Sequence, residues 1–515
     1  MSRVLRVRRG LAFAAFAAFA LAAACGGGEG AQRPPATGGP VAMADAAPPP
    51  VADPLGPRPE PGEPAPYTPP VPTSYKRPNG MEVWLLERHA LPIVSMQVVT
   101  PSGAAYDPEG KGGLALTTAN MLDEGAGKRG ALELSREIDR LGATLRSGAY
   151  ADYGFVQLTV LKKNLEPAAE IFADVVAKPQ MSAVEFKRVH DLWQNALRAR
   201  QSEPDAVAGV VVTKKVYPSA HPYAHPTDGT LASAARVSLD DVKKFYAARW
   251  RPDRARLVVV GDVTRAELDA ILDKTFATWK APQTPPPVEL VGPPAALVSK
   301  GEPAPPPTRR VFVVDRPDAP QSVVAVARPG ASAFDAETAA LTRVNAALGG
   351  SFTSRLNQDL REEHGWSYGA RSRFAFTRMR GVFVAQAAVH TEHTGDALKA
   401  MLADISGMAK GGLTDEEVEK TKQLARADLV EAFETVQAAA ARLGRSAGVG
   451  QTPDHEASAS RVAARADKDQ LRRLAAQYLD LGAATIVIVG PRAKIEPQLK
   501  AIGITTIESS GPEGQ

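Results

Sequence analysis

One stretch of the sequence, 348–370, LGGSFTSRLNQDLREEHGWSYGA, carries the polar residues that packing does not easily explain. Arg361 and Tyr368 stand seven residues apart, on either side of Gly365. The first carries a guanidinium and the second a phenol, polar groups that a packed core does not call for. Phe352, Leu356 and Leu360 recur every four residues, which predicts a helix burying that face. Gly365 is expected to stop it, because glycine enters the left-handed conformation of a helix end at no steric cost. Residues 366–389 alternate well enough to read as strands. Arg361 then falls on the last helical turn and Tyr368 at the start of a strand, and both are in position to face one cleft.

GGSFTSRLNQDLREEHGWSYG resembles the second-half signature of the pitrilysin/insulinase-type zinc metallopeptidases, whose mitochondrial-processing-peptidase branch has chains of about this layout. The resemblance implies that Arg361 and Tyr368 bind substrate peptide opposite a zinc ion. Inverted zincins carry H-x-x-E-H on a helix, where two histidines four apart grip the metal and the glutamate polarises the attacking water. Aligned on G-L-A and the following M-L, those positions are Leu116, Thr117, Thr118, Ala119 and Asn120, so Leu116 and Asn120 stand for the ligands and Ala119 for the general base. The family's third ligand, a glutamate on the next long helix before a D/N-P turn, falls on Asn195 or Ala196 when counted back from Glu203-Pro204. Zinc needs deprotonated N, S or O donors, and one amide does not replace two imidazoles and a carboxylate. The expectation is no cofactor on this chain.

The chain repeats itself. EVWLLERHALP, with Val83 and Pro92, aligns with RVFVVDRPDAP, with Val311 and Pro320, at an offset of 228; Gly261 falls on Gly490 at 229. A nearly constant offset over such a length marks two copies of one unit. Each copy reads as strand, strand, helix, helix, strands, helix, long helix, helix, strand, helix, an α+β pattern of hairpins beside packed helices. The resemblance implies two α/β-roll repeats, antiparallel sheet plus helices, forming a half-clamshell. The copies also serve as controls for each other. Val344, Ala347 and Leu348 stand where Leu116, Ala119 and Asn120 are, so Leu116 and Ala119 read as core. Conversely, lining up Gly142 with Gly365 puts Ile138 at the place of Arg361 and Leu145 at that of Tyr368. The fold thus accepts apolar residues there.

Other polar candidates have plainer readings. His221 and His225 of HPYAH have the i, i+4 spacing of metal ligands, but Pro222 and Pro226 break any helix that would align them. His390 and His393 follow a strand on a polar loop, and His364 reads as a surface residue near a helix C-terminus. Gly349-Gly350 lacks the Lys-Ser/Thr of a phosphate loop.

Composition bounds the rest. Arg3, Arg6, Arg8 and Arg9 followed by an apolar run over 11–24 read as an export signal over 1–24, too short to span a membrane. LAAAC resembles a bacterial lipoprotein processing site, with Cys25 as the lipid attachment; the alternative is an ordinary signal peptide with an incidental cysteine. Cys25 is the single cysteine of the 515 residues, so no intramolecular disulfide stabilises the body. Without the four signal arginines, basic and acidic residues balance, which argues against a nucleic-acid partner. Residues 25–73, rich in Gly, Pro and Ala, read as a tether of roughly 40 Å mean reach. The repeats then span 74–280 and 309–507, with a Pro-rich linker at 281–308 and a tail at 508–515.

These readings converge on a non-catalytic subunit of a two-chain metallopeptidase. Its homologous partner would bear the zinc, its substrate would be a peptide, and a lipid anchor would hold it in a bacterial envelope facing the periplasm, with Gly26 a hint toward the outer membrane. The alternative is a catalytically dead scaffold or peptide-binding lipoprotein of the same fold.

Overall fold

The computed structural model describes residues 67–287 and 308–515; the export segment, Cys25, most of the tether and the middle of the linker lie outside the described residues. The first repeat supplies strands β1 (Thr73–Lys76), β2 (Glu82–Glu87), β3 (Ile93–Thr100), β4 (Thr144–Ala149), β5 (Gly154–Leu161) and β6 (Arg256–Gly261). The second supplies β7 (Arg310–Asp315), β8 (Gln321–Pro329), β9 (Ser367–Phe374), β10 (Val382–His390), β11 (Thr485–Gly490) and β12 (Glu508–Ser509). Their orders, β1-β2-β6-β3-β5-β4 and β12-β7-β11-β8-β10-β9, share a five-strand pattern. Register repeats too: Val83 pairs with Leu257 and Val311 with Ile486, positions offset by the same 228 and 229. The sheets are mixed rather than purely antiparallel, because β6 runs parallel to β2 and β11 parallel to β7. Each of these parallel pairs is separated in the chain by three other strands and several helices, so no hairpin joins it. Residues 508–515 do more than trail: β12 pairs with β7, and Glu513 accepts from the Leu231 amide at 2.8 Å.

The first repeat's helices are α1 (Leu114–Asn120), α2 (Ala131–Arg140), α3 (Leu165–Ala177), α4 (Ala183–Arg200), α5 (Pro204–Val216), α6 (Leu231–Ala234), α7 (Leu239–Arg249) and α8 (Arg265–Thr275). The second's are α9 (Thr338–Asn345), α10 (Arg355–Asn357), α11 (Thr394–Gly411), α12 (Asp415–Ala432), α13 (Val436–Val449), α14 (His455–Arg465), α15 (Lys468–Tyr478) and α16 (Arg492–Ala501). This is more helix than the sequence pattern predicts, and the extra members include α5 and α13.

Those two helices change places. One face of each sheet packs on its own repeat's helices to form a private core. The other face is covered by the opposite repeat: Val207, Val211, Val212 and Val216 of α5 lie against Val323, Val487 and Val489 of the second sheet, and Ala439, Ala440, Leu443 and Ala447 of α13 lie against Trp84, Val258 and Val260 of the first. Burying a valine is worth roughly 1.5–3 kcal/mol, so the exchange ties the repeats together, and the described residues fall in one compact unit. The approach of α13 is close because it is built of small residues. A Cβ on Gly448 would lie 2.4 Å from the Tyr153 ring.

Candidate functional site

The segment 348–370 wraps the outer edge of the second sheet. Gly349 lets the chain touch β9: a Cβ there would fall 2.6 Å from the Ser372 amide. The paired glycines therefore serve backbone approach. Ser351 to Ser354 turns, α10 begins, and a wide π-type turn (Gln358–Glu363) carries Arg361. Arg355 anchors this piece by a two-pronged ion pair to Glu417 of α12, at 2.7 and 2.6 Å. Gly365 ends it with φ +63°, and the Trp366 amide reaches back six residues to the Leu360 carbonyl at 2.9 Å, one residue further than in an ordinary α-helical stop.

Leu356 and Leu360 are fully buried, as their spacing predicts, but Phe352 is not. It lies ahead of α10 on the turn, 64 % exposed, with the Arg361 guanidinium 4.5 Å above its ring centroid. A cation over an aromatic face is attracted by the ring's quadrupole, so Phe352 steadies Arg361 instead of the core. Arg361 also meets Glu362 at 3.4 Å and keeps 37 % of its side chain exposed. Tyr368, second residue of β9, is 83 % exposed. Its nearest ring is His390, at 6.4 Å between centroids. Both sequence-predicted binding residues therefore reach solvent, one on each side of Gly365 in the chain.

The places that stand for metal ligands lie in the other repeat, on α1 and α4, which pack together. Asp107 fixes the start of α1 by accepting from the Gly113 and Ala115 amides, each at 2.7 Å; burial pushes its carboxyl up to about 8 while those amides pull it down. Ala119 is fully buried, but Leu116 and Asn120 are only half-buried, as is Ala196. Leu116 is thus not the core residue its counterpart suggests. Val344, Ala347 and Leu348 are 0, 4 and 0 % exposed.

Residues 83–226 match the model of insulinase (peptidase family M16), and residues 236–424 match the peptidase M16 inactive domain, together more than half the chain. The chain belongs to peptidase family M16. An uncharacterized zinc protease of Mycobacterium leprae is 24 % identical over 373 residues, 72 % of this chain and 80 % of that protein. One of Bacillus subtilis is 20 % identical over 371 residues, 72 % and 86 % of the two chains. Among solved structures, a peptidase M16 inactive domain from Pseudomonas fluorescens superposes with a TM-score of 0.74 at 24 % identity, covering 82 % of this chain and 98 % of that one. A protease from Helicobacter pylori gives 0.75 at 21 %, covering 82 % and 100 %.

Against the M16 zinc chemistry the donor set here does not fit. Leu116 and Ala196 offer no donor, Asn120 offers a neutral amide, and Ala119 holds no base. Among the described residues no group of three or more His, Cys, Asp or Glu is placed to hold a metal ion. The HPYAH histidines serve their loop: His221 stacks on Tyr217 at 4.5 Å and its Nδ1 accepts from the Tyr223 amide at 3.1 Å. Tyr223 in turn donates to buried Asp152, which also accepts from the Arg378 amide at 3.0 Å, so this loop joins the two repeats. His364 stacks on Trp366 at 4.0 Å, and His393 lies near the same ring at 5.4 Å. Sequence reasoning did not single out Phe352 as a site residue. Its signal was there, since Phe352 stands inside Ser351-Phe-Thr-Ser354, and Ser/Thr-rich stretches favour turns.

Proposed function

We propose that this M16 chain is the zinc-less subunit of a two-chain peptidase, held at the bacterial cell envelope by lipid on Cys25. In this reading a homologous partner carries the zinc with its ligands and base, and the substrate is a peptide in the envelope. Arg361 holds a substrate carbonyl or the oxyanion that develops from it, and Tyr368 donates a second hydrogen bond. Preorganised donors of this kind act where charge builds up and need no rearrangement during reaction. The carrying observation is the asymmetry between repeats: the donors at 361 and 368 project into solvent, where the first repeat has buried Ile138 and half-buried Leu145.

The test is turnover by the assembly co-purified from native envelope through a tag on the full chain, with fluorescein-labelled casein as substrate. Tyr368→Phe should still assemble yet lose about 100-fold in kcat. Unchanged turnover removes Tyr368 from the mechanism. It would then favour the second reading, a catalytically dead scaffold or peptide-binding lipoprotein, which draws support from the match of residues 236–424 to a domain described as inactive. A neighbouring reading frame with H-x-x-E-H and its own export signal separates the two in the other direction.

A further inference from the structure

Tyr368 projects because of a defect in the strand that carries it. In the β9–β10 ladder Ala370 faces Ala387 and Ser367 faces Val389, so Tyr368 and Gly369 together oppose Ala388 alone. This is a β-bulge, which kinks a strand and re-aims the side chain at the extra residue. In a regular ladder side chains alternate, and Tyr368 would share the face of Ala370, which belongs to the second core. The first repeat shows that outcome. There the β4–β5 register runs unbroken from Thr144 opposite Thr159 to Ala149 opposite Gly154, and Leu145, at the place of Tyr368, packs against the first core.

Two side chains hold the bulge. The Ser367 hydroxyl accepts from the Gly369 amide at 3.0 Å and donates to the Gly369 carbonyl at 2.8 Å, spanning the extra residue. Asn357 Oδ1 accepts from the Ala370 amide at 2.8 Å, and its Nδ2 donates to the Ser351 carbonyl at 3.2 Å. Asn357 thereby joins the strand just past the bulge to the turn that bears Phe352. Both residues are buried, so these bonds form away from competing water.

We propose that Ser367 and Asn357 are positioning residues: they lock the β9 bulge and so fix the phenol of Tyr368 at the height the substrate needs. This rests on the two-chain reading, since it assigns a purpose to Tyr368. The test uses Ser367→Ala and Asn357→Ala beside the conservative Ser367→Thr, which retains the bonding hydroxyl. Hydrogen exchange over 366–374 in the isolated full chain reads the bulge, and fluorescein-casein turnover by the co-purified assembly reads its purpose. The alanine variants should expose the Ala370 amide to exchange and lower kcat about tenfold with KM unchanged, a displaced donor costing less than a deleted one. Ser367→Thr should restore both. Alanine variants that match the unaltered chain in either readout overturn the proposal, even where Tyr368→Phe is impaired and the two-chain reading stands. Full turnover in Tyr368→Phe overturns both.

Discussion

Helices α1 and α9 occupy the same place in the two repeats and meet different fates. On α9 the residues corresponding to Leu116, Ala119 and Asn120 are sealed, because α12 and α14 are fastened over it by Arg343. That guanidinium is 1 % exposed and donates to the Ala463 and Ala466 carbonyls at 2.8 Å and to that of Val418 at 2.6 Å. On α1 the position of Arg343 is Ala115, and Leu116 and Asn120 stay half-open. The fold can close this face, since it does so once. Under the two-chain proposal, the open face of α1 would border the chamber shared with the partner.

The sharpest way to break that contrast is to place histidines on both helices. Val344→His with Leu348→His buries two unpaired imidazoles and should cost about 3 kcal/mol or more; Leu116→His with Asn120→His should cost about 1 kcal/mol or less. Equal losses in urea unfolding would erase the distinction between a sealed and an open face. Arg343→Ala strands the carbonyls it caps and empties the space between helices, so it should lose about 3 kcal/mol. A smaller loss would mean α14 is held by other contacts. Gly448→Val drives a side chain into Tyr153 and should cost on the order of 2 kcal/mol, mostly by loosening the exchanged helix α13. Thermal melts that do not move would show that the contact relaxes freely.

A pH experiment probes the ground under Arg361. Burial, then the Asp359 and Glu363 carboxylates, pushes Asp404 of α11 up to about 6, and its buried Oδ2 has no hydrogen-bond partner. A carboxyl raised in the folded state favours folding while protonated and opposes it once ionised. Its contribution therefore falls as pH climbs from about 4 through 6. Asp404→Asn should raise the melting temperature at pH 7.5, by an amount worth on the order of 1 kcal/mol once solvent screening of the half-exposed group is allowed for. The gain should shrink toward pH 4, and a gain independent of pH would assign the effect to packing. The smallest effect expected is at Phe352. Its replacement by alanine removes a contact worth about 0.5–1 kcal/mol, so peptide turnover should weaken only a few-fold; a loss as large as that of Tyr368→Phe would place the ring itself on the substrate.

Much of this could be read from residues alone. The repeat, the left-handed stop at Gly365 and the strand start at Tyr368 follow from residue pattern and turn chemistry, whereas the positions compared with metal donors came from the family resemblance. Phe352 misled because the four-residue spacing that Leu356 and Leu360 obey was carried back into a turn that no periodicity marks. Leu116 misled because its counterpart is buried by helices that its own repeat arranges differently. The exchange of α5 and α13 was illegible for a deeper reason. α5 is apolar on most sides, so no stripe points to a partner; α13 does carry a stripe, Val436, Ala439, Ala440, Leu443 and Ala447, but a stripe does not say that the sheet it covers lies in the opposite repeat.

Zinc content tests the central claim most directly, measured by elemental analysis on the isolated full chain and on the assembly co-purified from its envelope. The chain alone should hold no stoichiometric zinc and the assembly one zinc per pair. One tightly held zinc per isolated chain, with casein cleavage by that chain abolished by chelators, would contradict that claim.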